Sequence, residues 1–147
     1  MATVTTTGRA LGVDFGGRRI GLALSDPTRT VASPSEVLER SGDRAADHRA
    51  IKAAAEEAEA TTIVVGYPLS LSGKVGPAAQ GVIDETEELR AVVGPDIEVV
   101  LHDERLTTVT AERSLQEAKM RRDARKRVVD KVAAAVMLQS WLEASTR

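Results

Sequence analysis

Apolar residues change rhythm along this chain, from short bursts near the start to three- and four-residue spacing near the end. "LGVDF" at residues 11–15 is an apolar burst of strand length, and Arg19 to Ser25 resumes the same pattern. Gly16-Gly17 between them suits a two-residue hairpin turn with positive φ. "TVASPSEVL" continues in extended style, with Pro34 marking a bend or an edge. From Asp43 to Ala60 the chain is rich in Ala and Glu, and Ala46, Ala50, Ala53, Ala54 and Ala58 stand at helical spacing. "TTIVVGYP" is a β-branched strand stopped by Gly and Pro. The loop "GYPLSLSGKVGP" then opens a second helix, on which Val82, Thr86, Leu89 and Val93 share a face. "GPD" breaks that helix, and "IEVVLH" is the next strand. Thr107 or Thr108 can cap a helix running to about Met120. A last helix is expected from about Val128 to Ala144, with Val128, Val129, Val132, Ala133 and Val136 as its apolar face. Asp130 falls beyond the Met137 edge of that face, in line with Ala134 and Trp141.

The order is thus three strands, then helix, strand, helix, strand, helix, helix. Alternation in the second half calls for right-handed crossovers and parallel strands, whereas the opening hairpin is antiparallel. The economical solution is an α/β fold: a mixed five-stranded sheet with helices on both faces. One domain over residues 1–147 is expected, with residues 1–9 as a flexible lead-in.

Composition narrows the function. The sequence has no cysteine, which excludes thiolate metal sites and thiol nucleophiles. Phe15, Tyr67 and Trp141 are its only aromatic residues, too few for recognition by rows of stacking rings. "MATVTTTGRA" lacks the apolar run of a signal peptide and no stretch is long enough to span a membrane, so the expectation is a cytoplasmic protein with no membrane partner. The net charge of −2 says little about partners, but its distribution says more. "KMRRDARKR" carries six positive charges, on Lys119, Arg121, Arg122, Arg125, Lys126 and Arg127, against the single Asp123.

Functional groups in such a sheet gather beyond the carboxyl ends of its parallel strands. Asp14 lies in the first strand beside glycines, and Asp103 and Glu104 lie just past "IEVVLH". Each has a structural explanation: Asp14 bonding a glycine turn, Asp103 or Glu104 pairing with Arg105 or capping a helix, Asp130 pairing with Lys126. Taken together, acids from three separated segments fit one site. Carboxylates held close repel unless a cation neutralises them, and hard oxygen ligands select Mg²⁺ or Mn²⁺.

"GVDFGGRRIGLALSD", "VVGYPLSLSGKVGPAA", "DERLTT" and "VDKVAAAVMLQSWL", in this order from Leu11 to Leu142, resemble the YqgF/RuvX family of Holliday junction resolvases with an RNase H-like fold. The loop departs from the family's usual "GLPLNMDG", with Tyr67, Ser70 and Ser72 at its Leu, Asn and Asp positions. The resemblance implies a metal-dependent nuclease acting in 5′-end maturation of the small-subunit ribosomal RNA precursor, or on branched DNA, with pre-ribosomal particles as further partners. It carries the catalytic acids onto Asp14, Glu104 and Asp130, with Asp103 as the alternative to Glu104. In the implied two-metal scheme Asp14 bridges the ions, while Glu104 and Asp130 each hold one. Arg18 and Arg105 would meet phosphate oxygens, Thr107 and Thr108 would start a helix, and the loop Gly66 to Gly76 would hold part of the substrate.

The basic stretch from Lys119 to Arg127 either grips a nucleic-acid backbone or is a solvated connector between helices. His48 is expected at the surface, His102 as a packed neighbour of the site, and Trp141 in the core. A monomer or weak homodimer is expected. Two rivals stand beside the nuclease: a non-catalytic RNA- or ribosome-binding module on the same fold, and a phosphate-binding turn of the actin-like and sugar-kinase ATPase kind at "DFGGRRIG".

Overall fold

The computed structural model describes residues 8–68, 74–103 and 122–145. Its elements are β1 (Arg9–Phe15), β2 (Arg19–Ser25), β3 (Ala32–Glu39), α1 (Arg44–Glu57), β4 (Ala60–Tyr67), α2 (Pro77–Val93), β5 (Glu98–Asp103) and α3 (Arg122–Ser145). The five strands form one sheet in the order β3-β2-β1-β4-β5. β1 pairs antiparallel with β2 and parallel with β4, β2 is antiparallel to β3, and β4 is parallel to β5. This is the mixed sheet that the element order predicts.

Strand alternation sends residues to two cores. Leu11, Val13, Ile20, Leu22, Ile63 and Val65 face α1 and α2, where Ile51, Ala55, Leu89 and Val93 close the layer. Ala10, Ala23 and Val64 face α3, which covers them with Ala133, Ala134, Met137, Leu138 and Leu142. The two sets differ in size for a reason. Gly12 and Gly21 lie on the α3 side, and a Cβ on Gly12 would sit 3.0 Å from the Leu138 Cβ and 3.2 Å from the Ala134 carbonyl oxygen. The helix backbone therefore presses close to the strands, and small residues are what that contact admits.

Helix ends follow their side chains. Asp43 caps α1 by accepting the Ala46 N–H, and α2 starts with Pro77 and stops at Gly94, whose φ of 83° suits glycine. Edge strand β3 carries Pro34 beside a register shift, because Leu22 pairs with Glu36 and Ala23 with Pro34, leaving Ser35 bulged. The expected edge position of Pro34 is thus observed.

Four expectations change. Gly16 and Gly17 do not have positive φ. Gly16 is needed for proximity instead: its N–H donates to the Arg19 carbonyl at 2.9 Å, and a Cβ there would lie 2.6 Å from that oxygen. In α1 the buried face is Asp47, His48, Ile51 and Ala55, so His48, expected at the surface, points inward. The last helix starts at Arg122 rather than Val128, so Arg122 to Arg127 is helix and not a connector. Its buried face centres on Ala134 and Leu138, with Val132 and Val136 only half-buried. Asp130 lies one and two turns before Ala134 and Leu138, hence on the sheet-facing side rather than beyond its rim.

Candidate active site at the end of the central strand

Asp14 shares the parity of Ala10 and Gly12, so its side chain lies on the α3 side of the sheet, where it is half-buried. Its antiparallel partner on β2 is Gly21. Directly above Gly21 sits the backbone of Asp130, whose carbonyl oxygen would be 2.2 Å from a Cβ on that glycine. Directly paired residues on neighbouring strands lie roughly 4.5–5.5 Å apart between Cα atoms. The docking of α3 on a bare glycine therefore brings Asp130, also half-buried, to the strand position next to Asp14. Two predicted acids, 116 positions apart by their numbers, thus have neighbouring backbones at the carboxyl end of β1.

Asp103 is placed differently. His102 is on the α3 side, where its Nε2 lies 3.0 Å from the Ser140 hydroxyl of α3. Alternation then sends Asp103, one residue on, to the opposite face. Glu104, Arg105, Lys119 and Arg121 lie outside the described residues, as do Thr107, Thr108 and most of the loop before Gly76. Arg122, Arg125, Lys126 and Arg127 are in the first turns of α3. Among the described residues no three His, Asp or Glu side chains converge into a metal cage. The donor set of Asp14 and Asp130 is nevertheless the right kind for a hard divalent cation: carboxylate oxygens, half-buried, on two rigid elements.

His102 is buried as expected, and burial pushes its imidazole below the ordinary value, with the Asp103 carboxylate opposing. Trp141 is half-buried against the α3 core, with the Arg29 guanidinium 5.6 Å from its ring centroid.

On the other face, the turn after β1 is tied down by residues that the sequence reading passed over. Arg40 donates from Nε to the Gly16 carbonyl at 2.8 Å and from both terminal nitrogens to the Glu85 carboxylate, at 2.8 and 2.9 Å. Its backbone N–H donates to the Arg18 carbonyl at 3.0 Å. His48 is buried, not at the surface, and its Nε2 donates to the Glu85 Oε2 at 2.8 Å. Phe15 lies against both, 5.6 Å from the Arg40 guanidinium and 5.9 Å from the His48 ring. Burial works against ionisation of Glu85, but hydrogen bonds from Arg40 and His48 outweigh it and hold the carboxyl below its ordinary range. Arg40 in turn is held above its usual value, chiefly by its hydrogen bonds to Glu85. The spacing of His48, Ile51 and Ala55 was the available signal for a buried histidine.

The model of the family described as "RuvX: Holliday junction resolvase" matches residues 8–144. The chain belongs to the RuvX family. A Mycobacterium ulcerans protein named "Putative pre-16S rRNA nuclease" is 45% identical over 140 residues, covering 95% of this chain and 81% of that one. A Mycobacterium tuberculosis protein of the same name is 45% identical over 137 residues, covering 92% and 79%. RuvC of T. thermophilus in complex with Holliday junction substrate superposes with a TM-score of 0.56 at 14% identity, over 95% of this chain and 96% of that one. RuvC described as Thermus thermophilus RuvC structure gives 0.53. The fold of this RuvX-family chain is therefore RNase H-like, and its class is that of the nucleases, hydrolases of phosphodiester bonds. No helix among the described residues is long and apolar enough to cross a membrane.

Proposed function

We propose that this chain is a divalent-metal-dependent endonuclease of a single domain that matures the 5′ end of the small-subunit ribosomal RNA precursor. The observation that carries the reading is the apposition of the Asp14 and Asp130 backbones at Gly21. The names of its relatives at 45% identity support ribosomal RNA over branched DNA as substrate, and a cytoplasmic setting beside pre-ribosomal particles goes with it.

Asp14, Glu104 and Asp130 are the residues that would hold Mg²⁺ or Mn²⁺. Alternation past His102, which sends Asp103 toward the other face, supports Glu104 over Asp103 as the third ligand. Bound divalent cations supply charge neutralisation, activation of water and stabilisation of the leaving oxygen in an in-line displacement. The chain's own groups do the rest. Asp14 and Asp130 fix the geometry from a strand and a helix, elements more rigid than loops. Arg18, exposed at the tip of the β1–β2 turn, meets a phosphate oxygen of the substrate, and Arg105 meets another. Lys119, Arg121, Arg122, Arg125, Lys126 and Arg127 hold the flanking backbone through salt-sensitive contacts that read no sequence. A monomer suffices for cutting one strand of RNA.

The test is a cleavage assay with Mg²⁺ or Mn²⁺ on a labelled precursor leader and on a four-way DNA junction, with Asp14→Asn as control. Metal-dependent cutting of the leader that falls roughly a thousandfold or more in Asp14→Asn is the expected result. Preferential junction cutting would reassign the substrate. Salt-sensitive RNA binding without any cutting would replace the enzyme by a binding module.

A further inference from the structure

The β1–β2 turn carries Arg18 immediately after the strand that carries Asp14, yet the turn has little core of its own. Gly16 is half-buried, and Gly17 and Arg18 are exposed. Its carbonyls are nonetheless nearly all claimed. The Arg19 oxygen is taken by the Gly16 N–H, the Gly16 oxygen by the Arg40 side chain and the Arg18 oxygen by the Arg40 backbone. Arg40 is itself immobilised by the two-pronged pair with Glu85 of α2, and Glu85 by His48 of α1. Ser41, the next residue, donates from both its N–H and its hydroxyl to Asp47 of α1, at 3.0 and 2.8 Å. Glu39, the residue before, pairs with Arg19 at 3.2 Å.

We propose that Arg40 is a positioning residue: with Glu85 and His48 it clamps the β1–β2 turn to the helical layer and so fixes the backbone from which Arg18 reaches the substrate. A clamp of this shape needs a guanidinium. Only a planar fork can serve one carboxylate with two nitrogens while its third nitrogen reaches a carbonyl elsewhere. The cleft of about 650 Å³ beside the turn, lined by Gly17, Arg18, Arg40, Arg44, Asp47 and Glu85 among others, is not a second anion site. Arg40 and Arg44 there are paired to Glu85 and Glu88. The clamp thus spends its charge internally and leaves Arg18 to the substrate.

The inference rests on the nuclease reading for what Arg18 contacts, but not for the clamp. Two measurements on the full chain separate them. The first is amide hydrogen exchange of Arg40→Met against the unsubstituted protein. The Gly16 amide is expected to lose protection while β1, β4 and α3 keep theirs; unchanged exchange at Gly16 overturns the clamp. The second is a double-mutant cycle on kcat/KM for cleavage of the precursor leader with Mg²⁺. Arg18→Ala alone is expected to cost roughly tenfold, the loss of one charged hydrogen bond. In the Arg40→Met background it is expected to cost less than twofold, because the turn no longer holds Arg18 in place. Equal cost in both backgrounds overturns the proposal, since a merely structural Arg40 would leave the two effects additive. If Arg40→Met does not fold, Arg40→Lys keeps the charge beside Glu85, lacks the fork and is read the same way. If the unsubstituted protein cuts nothing, the nuclease reading falls, and hydrogen exchange alone decides the clamp.

Discussion

Asp130 rides on Gly21: the carbonyl oxygen of the one occupies the space that a side chain on the other would fill, 2.2 Å from the missing Cβ. Gly21 is also the strand partner of Asp14. The spacing of the two acids' backbones is thus set by direct contact, and their side chains reach out from that fixed base. Gly21→Ala is expected to lift the start of α3 from the sheet. The stability cost should be about 1–3 kcal/mol, the usual range for overpacking. The loss of cleavage rate should exceed tenfold even where the protein is fully folded, because misplacement of a ligand by about 1 Å is expensive in such sites. Denaturant unfolding and single-turnover cleavage on the same preparations check both halves; full activity in a folded Gly21→Ala protein refutes the seat.

Removing one side of the buried ion pair should be far worse than removing both. Glu85 has a side chain only 6% exposed, and its loss leaves Arg40 without its hydrogen-bonded counter-charge, with only the Asp47 carboxylate acting on it through space. Glu85→Ala is expected to lower stability by about 3–5 kcal/mol. The double variant Arg40→Met with Glu85→Met should recover part of that loss in urea unfolding, while the turn still loses its protection from exchange.

Acid should lower the stability of the protein over two pH ranges. The His102 imidazole lies below its ordinary value of 6.5 in the folded state, so the unfolded chain takes up its proton first as pH falls. Its contribution is whole above about pH 6.5 and declines below it. The Glu85 carboxyl lies below its ordinary value of 4.5, so its contribution is whole above that pH and is lost as pH falls through the lower folded-state value. Stability measured from pH 8 to 3 should therefore fall first near 6.5 and again below 4.5. His102→Asn should flatten the first slope and Glu85→Gln the second. A first slope unchanged by His102→Asn would remove His102 from the account.

Salt should weaken nucleic-acid binding in proportion to the phosphates neutralised. Each of Arg121, Arg122, Arg125 and Lys126 that contacts a phosphate should, when changed to Ala, reduce the slope of log K against log salt by about 0.7–0.9. Fluorescence anisotropy with the labelled leader at several salt concentrations reads this directly. Unaltered slopes in all four variants would leave this basic stretch without a role in binding.

Where sequence patterns succeeded and where they misled has a common physical origin. β1, β2, β4 and β5 were legible because β-branched runs bounded by Gly, Pro and Asp have few other uses, and their alternation with helices dictated the parallel pairs. The buried face of α3 departs from the expected one because Val132 and Val136 outrank alanine in hydrophobicity. A helix pressed onto Gly12 and Gly21 selects size before hydrophobicity, and the alanines win. The same contact explains why Asp130 is better placed than its surroundings in the sequence suggest. Gly16 was credited with the wrong glycine property, since it answers a close approach and not a left-handed torsion. Arg40, Glu85 and His48 could not be joined from sequence, because three long-range contacts between polar residues leave no periodic trace.

The bulge and proline on β3 bear on how two copies of this chain could ever cooperate. Pro34 has no N–H to offer a neighbouring strand, and Ser35 bulges from the ladder beside it. The β3 margin of the sheet is thus a poor template for strand addition by a second protomer. Symmetrical incision of a branched substrate needs two active centres at a fixed span. A pairing of that kind is better served elsewhere on the molecule or by the substrate, whereas cutting a single RNA strand makes no such demand.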